Sequence, residues 1–400
     1  MANFTGTRST KQIISEARNV REVAPKIYYL EPDIAPIITL LSKMNKKRPT
    51  PQVKFSQFEG TYTARWASVS ATTASTTSET TIWVQDYTQF VAGDMLILPR
   101  AVSDGTTPEL IRVTAVASTG ALTVTRGVGS TTTGTIAAAA ALTFAGTAYN
   151  EGAAFPDVKS APKTEVVSYT QIFRTALSLT NTSRAVKAYG MDELNMHRFE
   201  KAKEHKIQLN RALLFGVASE DTSGTTPLRT TMGINSAIST NKYDAGGTLT
   251  RRTIELFAQQ AFRYGNKNQK ILLCSPTVAS AFNQFAQSQL MISPQDKTYG
   301  VTVQKVVTGH GEWLLVKDWE LENGISGKNG FGGTALSLDL DSIEMRYLND
   351  NGVSRDTKYL EDVVQDGVDA KRDEYLSEIG FMVRNEKFHA KLFNVTDWAA

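Results

Sequence analysis

The sequence predicts an α+β chain, with strands first, helices in the middle and strands again at the end. Two runs of alternating apolar residues, near 53–66 and 165–180, flank a long strand-rich insert. One uninterrupted helix is written in "DELNMHRFEKAKEHKIQLNRALLFG", from Asp192 to Gly216. It opens on a capping-type Asp, holds no Pro or internal Gly, and stops at a Gly. Two strand-like runs, "EYLSEIGFMVRN" and "HAKLFNV", close the chain.

Residues 1–50 read as an arm, dotted with Arg8, Lys11, Arg18 and Arg21. Within "PDIAPIITLLSKM", Ile34, Ile37, Ile38 and Leu41 fall at helical spacing and predict one short amphipathic helix. So short a helix is marginal alone and needs a surface to lie on. "NKKRP", with Lys46, Lys47 and Arg48, ends the arm. From there Val53, Phe55, Tyr62, Ala64 and Trp66 alternate as a strand, with Gly60 as a kink. "SVSATTASTTSETT" has too little apolar surface to pack and reads as a linker. "TIWVQDYTQFVAGDMLILP", "ELIRVTAVASTGALTVTRG" and "AALTFAGTAY" are short strands between Gly, Asp and Ser turns. They predict a small β-barrel or sandwich inserted into a host domain.

In "EVVSYTQIFRTALSLT", Val167, Tyr169, Phe173, Leu177 and Leu179 share one strand face, with Gln171 and Thr175 between them. The simplest geometry is one long antiparallel hairpin with the small β-domain at its tip. Beyond the long helix, "TRRTIELFAQQAFRYGN" and "SPTVASAFNQFAQSQ" read as amphipathic helices, the second capped by Ser275 with Pro276 in its first turn. Strands resume at "VTVQKVV", "EWLLVKDW" and "ALSLDLDSIEMRYL", and "NDNG" (Asn349 to Gly352) signals a hairpin turn. On the long helix, Leu194, Phe199, Ala202, Leu209 and Leu213 predict one apolar stripe, with Met196, Ile207 and Leu214 beside it. Glu193, Glu200, Glu204 and Arg211 mark a charged edge.

Composition narrows the function. The 43 Lys and Arg against 40 Asp and Glu leave a net charge of +3, too balanced for a dedicated nucleic-acid binder. A single cysteine, Cys274, excludes an intramolecular disulfide and reads as a small buried hydrophobe in "KILLCSP". No window approaches the roughly twenty apolar residues of a membrane span, and the first residues lack a signal-peptide core. The expectation is a protein made in the cytoplasm with no membrane partner.

Catalytic patterns are missing. His197 and His205 lie about 12 Å apart along a helix rising about 1.5 Å per residue, too far to share one ion. Asp339 and Asp341 in "LDLDSIE" fall on one face of a predicted strand, without the spaced oxygens of a calcium loop. There is no G-x-S-x-G, H-E-x-x-H or phosphate-loop motif, and "NGISGKNGFGG" reads as a surface loop. His310 reads as structural. Accordingly no catalytic, metal or cofactor-binding residue is expected.

The order of parts resembles the major capsid proteins of tailed bacteriophages, which share the Hong Kong 97-type fold. "SYTQIFRTALSLTNTSRAVKAYGMDEL" resembles the returning E-loop strand and spine-helix entry of one capsid subfamily. "QLNRALLFG" is similar to its helix exit, and "GFMVRNEKFHAKL" to its closing strands. The resemblance implies an N-terminal arm over 1–50, E-loop strands in 51–72 and 156–185, and an inserted β-domain over 73–155. A peripheral domain with the spine helix would take 186–225 and 340–400, and an axial domain 226–339. It departs from the type member in showing no long N-terminal scaffolding segment and in carrying the inserted β-domain.

The implied function is a structural subunit that self-assembles into the icosahedral shell around the phage double-stranded DNA, residing in the virion. Implied partners are further copies in hexamers and pentamers, portal and separate scaffolding proteins, a decoration protein, and weak non-specific contact with packaged DNA. Contacts between copies are expected at Arg8, Lys11, Arg18, Arg21, Ile34, Ile37, Ile38, Leu41, Lys46, Lys47, Arg48, Arg65, Trp66 and Arg174. The basic arm and "NKKR" should meet acidic neighbours more than DNA, so charge reversal at Arg18 and Arg21 should impair assembly. Two other readings fit less of the sequence: a nanocompartment shell of the same fold, and a virion adhesion protein binding sugars through 80–150. Trp83, Tyr87 and Phe90 are the aromatics that would stack on a sugar, though core packing suits their spacing better.

Overall fold

The computed structural model describes residues 35–60, 62, 65–70, 78–84, 86–98, 108–136, 139–160, 162–186, 192–265, 267–288, 292–294, 304–322, 331–350, 352–363 and 367–398. The chain divides into two compact units, Phe58–Glu165 and the combination of Met1–Gln57 with Val166–Ala400.

Among the described residues helix α1 (Pro36–Lys43) comes first, with Pro36 in its first turn, followed by strands β1 (Lys47–Thr50) and β2 (Lys54–Glu59). Strands β3 (Trp66–Ser68), β4 (Thr81–Trp83), β5 (Asp94–Leu98), β6 (Glu109–Val116), β7 (Ala121–Thr125) and β8 (Ala141–Thr147) form one antiparallel sheet in the order β3-β8-β5-β6-β7-β4. A bridge between Val69 and Val84 joins its two ends, so the sheet closes on itself as a barrel and leaves no long open edge. Inward residues alternate along each strand and supply the barrel core, among them Ile82, Leu96, Ile111, Val113 and Leu122, all fully buried. Phe90 joins that core.

The barrel also buries an ion pair. The Glu109 carboxylate accepts two bonds from the Arg126 guanidinium, at 2.6 and 2.5 Å, and one each from the Gly127 and Gly134 amides. Burial pushes the Glu109 carboxyl up, but the Arg126 bond, the two amides and the Arg126 charge together hold it below the usual range. At the other end of β5, the buried Asp94 is held by Lys159 at 2.6 Å. Gly93 has φ +96°, and a side chain there would meet the Tyr149 ring at 2.4 Å.

In the larger unit, β9 (Thr164–Tyr169) pairs with β2, and β10 (Gln171–Thr180) leads through α2 (Asn181–Ala185) into the long helix α3 (Glu193–Phe215). Asp192 caps α3 by accepting from the Asn195 amide. A small hairpin, β11 (Ser219–Asp221) with β12 (Leu228–Thr230), precedes α4 (Ile234–Ala237) and β13 (Lys242–Leu249). Next come α5 (Arg251–Ala261), β14 (Gln269–Cys274), α6 (Pro276–Ser288), β15 (Ile292–Pro294), β16 (Gln304–Val307) and β17 (Glu312–Lys317). The last strands are β18 (Ala335–Leu338), β19 (Ile343–Asp350), β20 (Val353–Ser354), β21 (Lys358–Leu360), β22 (Ala370–Val383) and β23 (Ala390–Trp398).

Two sheets organise this unit. One runs β1-β19-β22-β10, with β20 and β21 attached; the other runs β13-β23-β18-β14-β17-β16-β15. The seven-stranded sheet is covered on both faces, which explains the unbroken apolar run around Cys274. Leu272 and Cys274 pack with α5, α6 and Trp313, while Leu273 joins a core shared with α1, α3 and the other sheet. Cys274 is fully buried, and burial pushes its thiol pKa far up, away from any nucleophilic role.

Several sequence expectations change. The predicted strand 53–66 is two elements: β2 ends at Glu59, and Trp66 lies in β3 of the barrel sheet. The predicted strand 165–180 breaks at Thr170, whose amide bonds Val53 and whose hydroxyl bonds Glu378 at 3.0 Å. On β9 the polar Ser168 is buried while Val167 and Tyr169 are half-buried, because the Ser168 hydroxyl donates to the Phe381 carbonyl. Asp339 and Asp341 sit on a helical turn rather than a strand, and Lys267 pairs with both.

Candidate assembly surfaces

Helix α3 is fastened to its surroundings at almost every turn, mainly by polar contacts. Arg198 reaches Asp373 of β22 at 2.9 Å. The buried His205 ring bonds the Thr175 hydroxyl of β10 at 2.9 Å and the Ser377 hydroxyl of β22 at 2.7 Å. Lys206 donates to Thr39 of α1 at 2.7 Å, and Asn210 to Asp318 after β17 at 3.1 Å. Apolar burial concentrates in the last turns, at Leu209, Leu213 and Leu214. The continuous apolar stripe expected from the sequence is therefore not formed: Phe199 is 52% exposed, and the covered face holds His205 and Asn210 instead. His197 lies on the charged edge between Glu193 and Glu200, at 3.1 and 3.4 Å.

Burial lowers the pKa of His205, and burial followed by the nearby Lys270 charge lowers His389 to about 4. The His389 Nδ1 accepts the Asp339 amide at 3.3 Å, which fits a neutral ring. Both groups bind a proton less readily folded than unfolded. Their contribution is complete above the ordinary histidine value of 6.5 and is lost as pH falls through the folded values. Thermal unfolding between pH 6.5 and 4 should lose at most about 1.4 kcal/mol per pH unit per group. Replacing His205 with Gln should flatten the upper part of that slope; an unchanged slope would contradict the assignment.

The residues expected between copies separate into four groups. Arg8, Lys11, Arg18, Arg21 and Ile34 lie outside the described residues. Ile37, Ile38 and Leu41 are buried inside their own chain, against α3 and β19, so the chain's own long helix is the surface they lie on. Together α3 and the sheet offer α1 the apolar surface it needs. Lys46 pairs with Asp341 at 2.7 Å, Lys47 with Asp356, and Arg48 with Glu344 at 3.5 Å. The acidic partners of "NKKR" in this structure therefore belong to the same chain.

Arg65, Trp66 and Arg174 remain at the surface. Arg65 is exposed, with its carbonyl bonded by the Phe144 amide, and Trp66 is 49% exposed. Arg174 bonds Glu374 at 2.6 Å while its side chain stays 61% exposed. On β10 burial alternates cleanly: Phe173, Thr175 and Leu177 face α3, and Ile172, Arg174, Ala176 and Ser178 face outward.

Sequence reading missed other surface residues. Tyr62, in the alternating run of the sequence, is 99% exposed; Phe58, Phe155 and Val158 are 70%, 87% and 80% exposed. Large side chains exposed to this degree are a common mark of contact with another molecule. Their exposure is set by how the chain folds around them, which residue type alone does not reveal.

The sequence matches the SU10 major capsid protein family over residues 3–396. A major capsid protein of Pseudomonas phage PaMx41 is 26% identical over 241 residues, covering 57% of this chain and 57% of that one. The chain thus spans less than two thirds of that relative's length. Among solved structures, the capsid of a native GTA particle matches at a TM-score of 0.51 and 7% identity, over 98% of this chain and 100% of that one. Mycobacterium phage Bobi matches at 0.45 and 8%, over 99% and 100%. The fold is the Hong Kong 97-type α+β capsid fold. This chain belongs to the SU10 major capsid protein family.

Proposed function

We propose that the chain builds the icosahedral shell around phage DNA by associating with further copies of itself in hexamers and pentamers. The observation that supports this best is the amount of large apolar surface left open at Phe58, Tyr62, Phe155 and Val158 in a chain with two well-packed units. A shell subunit covers such surface only after it meets its neighbours.

In this reading α3 is the spine helix, and the sheet β1-β19-β22-β10 with it makes the peripheral domain. The seven-stranded sheet with α5 and α6 makes the axial domain. The β2–β9 pair is the root of the E-loop, and the barrel is its insertion. Portal, separate scaffolding and decoration proteins complete the particle, and packaged DNA meets the wall through weak, salt-dependent contacts.

Trp66, Arg65 and Arg174 serve as contacts between copies. Trp66→Ala combined with Arg174→Gln should cut the yield of sedimenting particles several-fold. Gln at position 174 keeps a donor for the nearly buried Glu374, whose side chain is 9% exposed, so the unassembled chain should still fold, with only a modest fall in melting temperature. Normal particle yield from the double variant would refute these contacts.

A further inference from the structure

The outward face of the β1-β19-β22-β10 sheet carries a compact group of opposed charges. Glu344 on β19 is almost wholly buried, and three guanidiniums converge on it. Arg384 approaches at 2.6 Å, Arg346 at 3.2 Å and Arg48 at 3.5 Å. The strand register explains the convergence: Arg48 stands opposite Arg346, Glu344 lies two residues before Arg346, and Arg384 follows the end of β22. One carboxylate cannot neutralise three cations, so this cluster keeps an excess of two positive charges. The Arg48 side chain is 62% exposed and that of Arg384 37%. Arg346 Nε is buried with no hydrogen-bond partner, and its guanidinium lies 5.2 Å from the Phe55 ring. A guanidinium has five donors, so the three retain capacity for another anion.

We propose that this cluster receives a carboxylate from a second copy of the chain, supplied by Glu151 or Asp157. This rests on the shell reading above and assigns a partner to one of its surfaces. Residues 148–158 form a stretch that is exposed throughout and has no regular secondary structure beyond a turn. That stretch joins the two carboxylates to Phe155 and Val158, both strongly exposed. The same sheet also exposes an apolar residue, Ile172, which is on the outward face of β10 and 54% exposed. A duplex phosphate would satisfy the charge but leave Phe155, Val158 and Ile172 in water, so a protein segment fits better than nucleic acid. Exchange of charge-assisted bonds for water also gives the contact a definite register.

The test measures particle yield by sedimentation and electron microscopy at about 0.15 M salt, where charges about 8 Å apart are already partly screened. Arg48→Glu should reduce yield about tenfold or more, and so should Glu151→Lys with Asp157→Lys. The loop variants touch no packed residue and leave folding intact, which separates assembly from stability. Combining the reversals on both sides should restore most of the yield. If the wild-type chain forms no particles, the shell reading itself fails. If wild type assembles and either reversal is silent, or the combination gives no rescue, the carboxylate contact fails alone. Normal particle yield with reduced DNA retention in Arg48→Glu would assign the cluster to phosphate and overturn the proposal.

Discussion

Replacing Glu109 with alanine should destabilise the barrel by about 3–5 kcal/mol, because Arg126 would remain buried without its counter-charge. The Arg126 side chain is 5% exposed and that of Glu109 fully buried, so water cannot take over the lost bonds. The Gly127 and Gly134 amides would lose their acceptor as well. Glu109→Ala with Arg126→Met should cost less than Glu109→Ala alone, since the double change removes the stranded charge. Unfolding of the purified chain, followed by proteolysis within 58–165, reads both effects. The wild-type pair also sets an acid limit. A carboxyl held below its ordinary value of 4.5 contributes stability that is complete above that pH and is lost as pH falls through the folded value. Equal losses in the single and double variants would contradict the pairing.

Leu213→Ala should cost about 2–5 kcal/mol, the range for opening a cavity in a packed core. Leu213 is fully buried in the cluster where α3 meets α1 and both sheets of the larger unit. Phe199→Ala, on the same helix, removes a larger side chain that is 52% exposed and should cost far less. A comparable loss at both positions would mean that α3 is packed along its whole length, as its sequence pattern suggests.

That contrast shows where the sequence was informative. Helix α3 is legible because capping Asp192, an unbroken run of helix formers and terminal Gly216 are local signals. Which of its faces is covered is not local. His205 is buried because Thr175 and Ser377 come from two different strands to meet its ring nitrogens, and no spacing rule anticipates such partners. The same limit applied to "NKKR", whose partners Asp341, Glu344 and Asp356 lie about three hundred residues away in sequence, beyond any local pattern. The break at Thr170 was hidden because the buried positions before it are the polar Ser168 and Thr170, while the apolar alternation of the sequence runs on unchanged through the odd positions. Gly380 shows a related effect: a side chain there would meet the Phe55 ring at 2.7 Å and the Tyr169 carbonyl at 2.6 Å. From sequence it is simply a glycine inside a strand. Amphipathic patterning marks residues that need cover, but not whether that cover comes from the same chain or another, and α1 found it at home.

Electron microscopy of the purified full-length chain over a range of concentrations tests the central claim most directly. Closed icosahedral shells, or hexameric and pentameric rings, are the predicted result. A chain that stays a dispersed monomer at every concentration, with Phe58, Tyr62 and Phe155 still open to water, would contradict it.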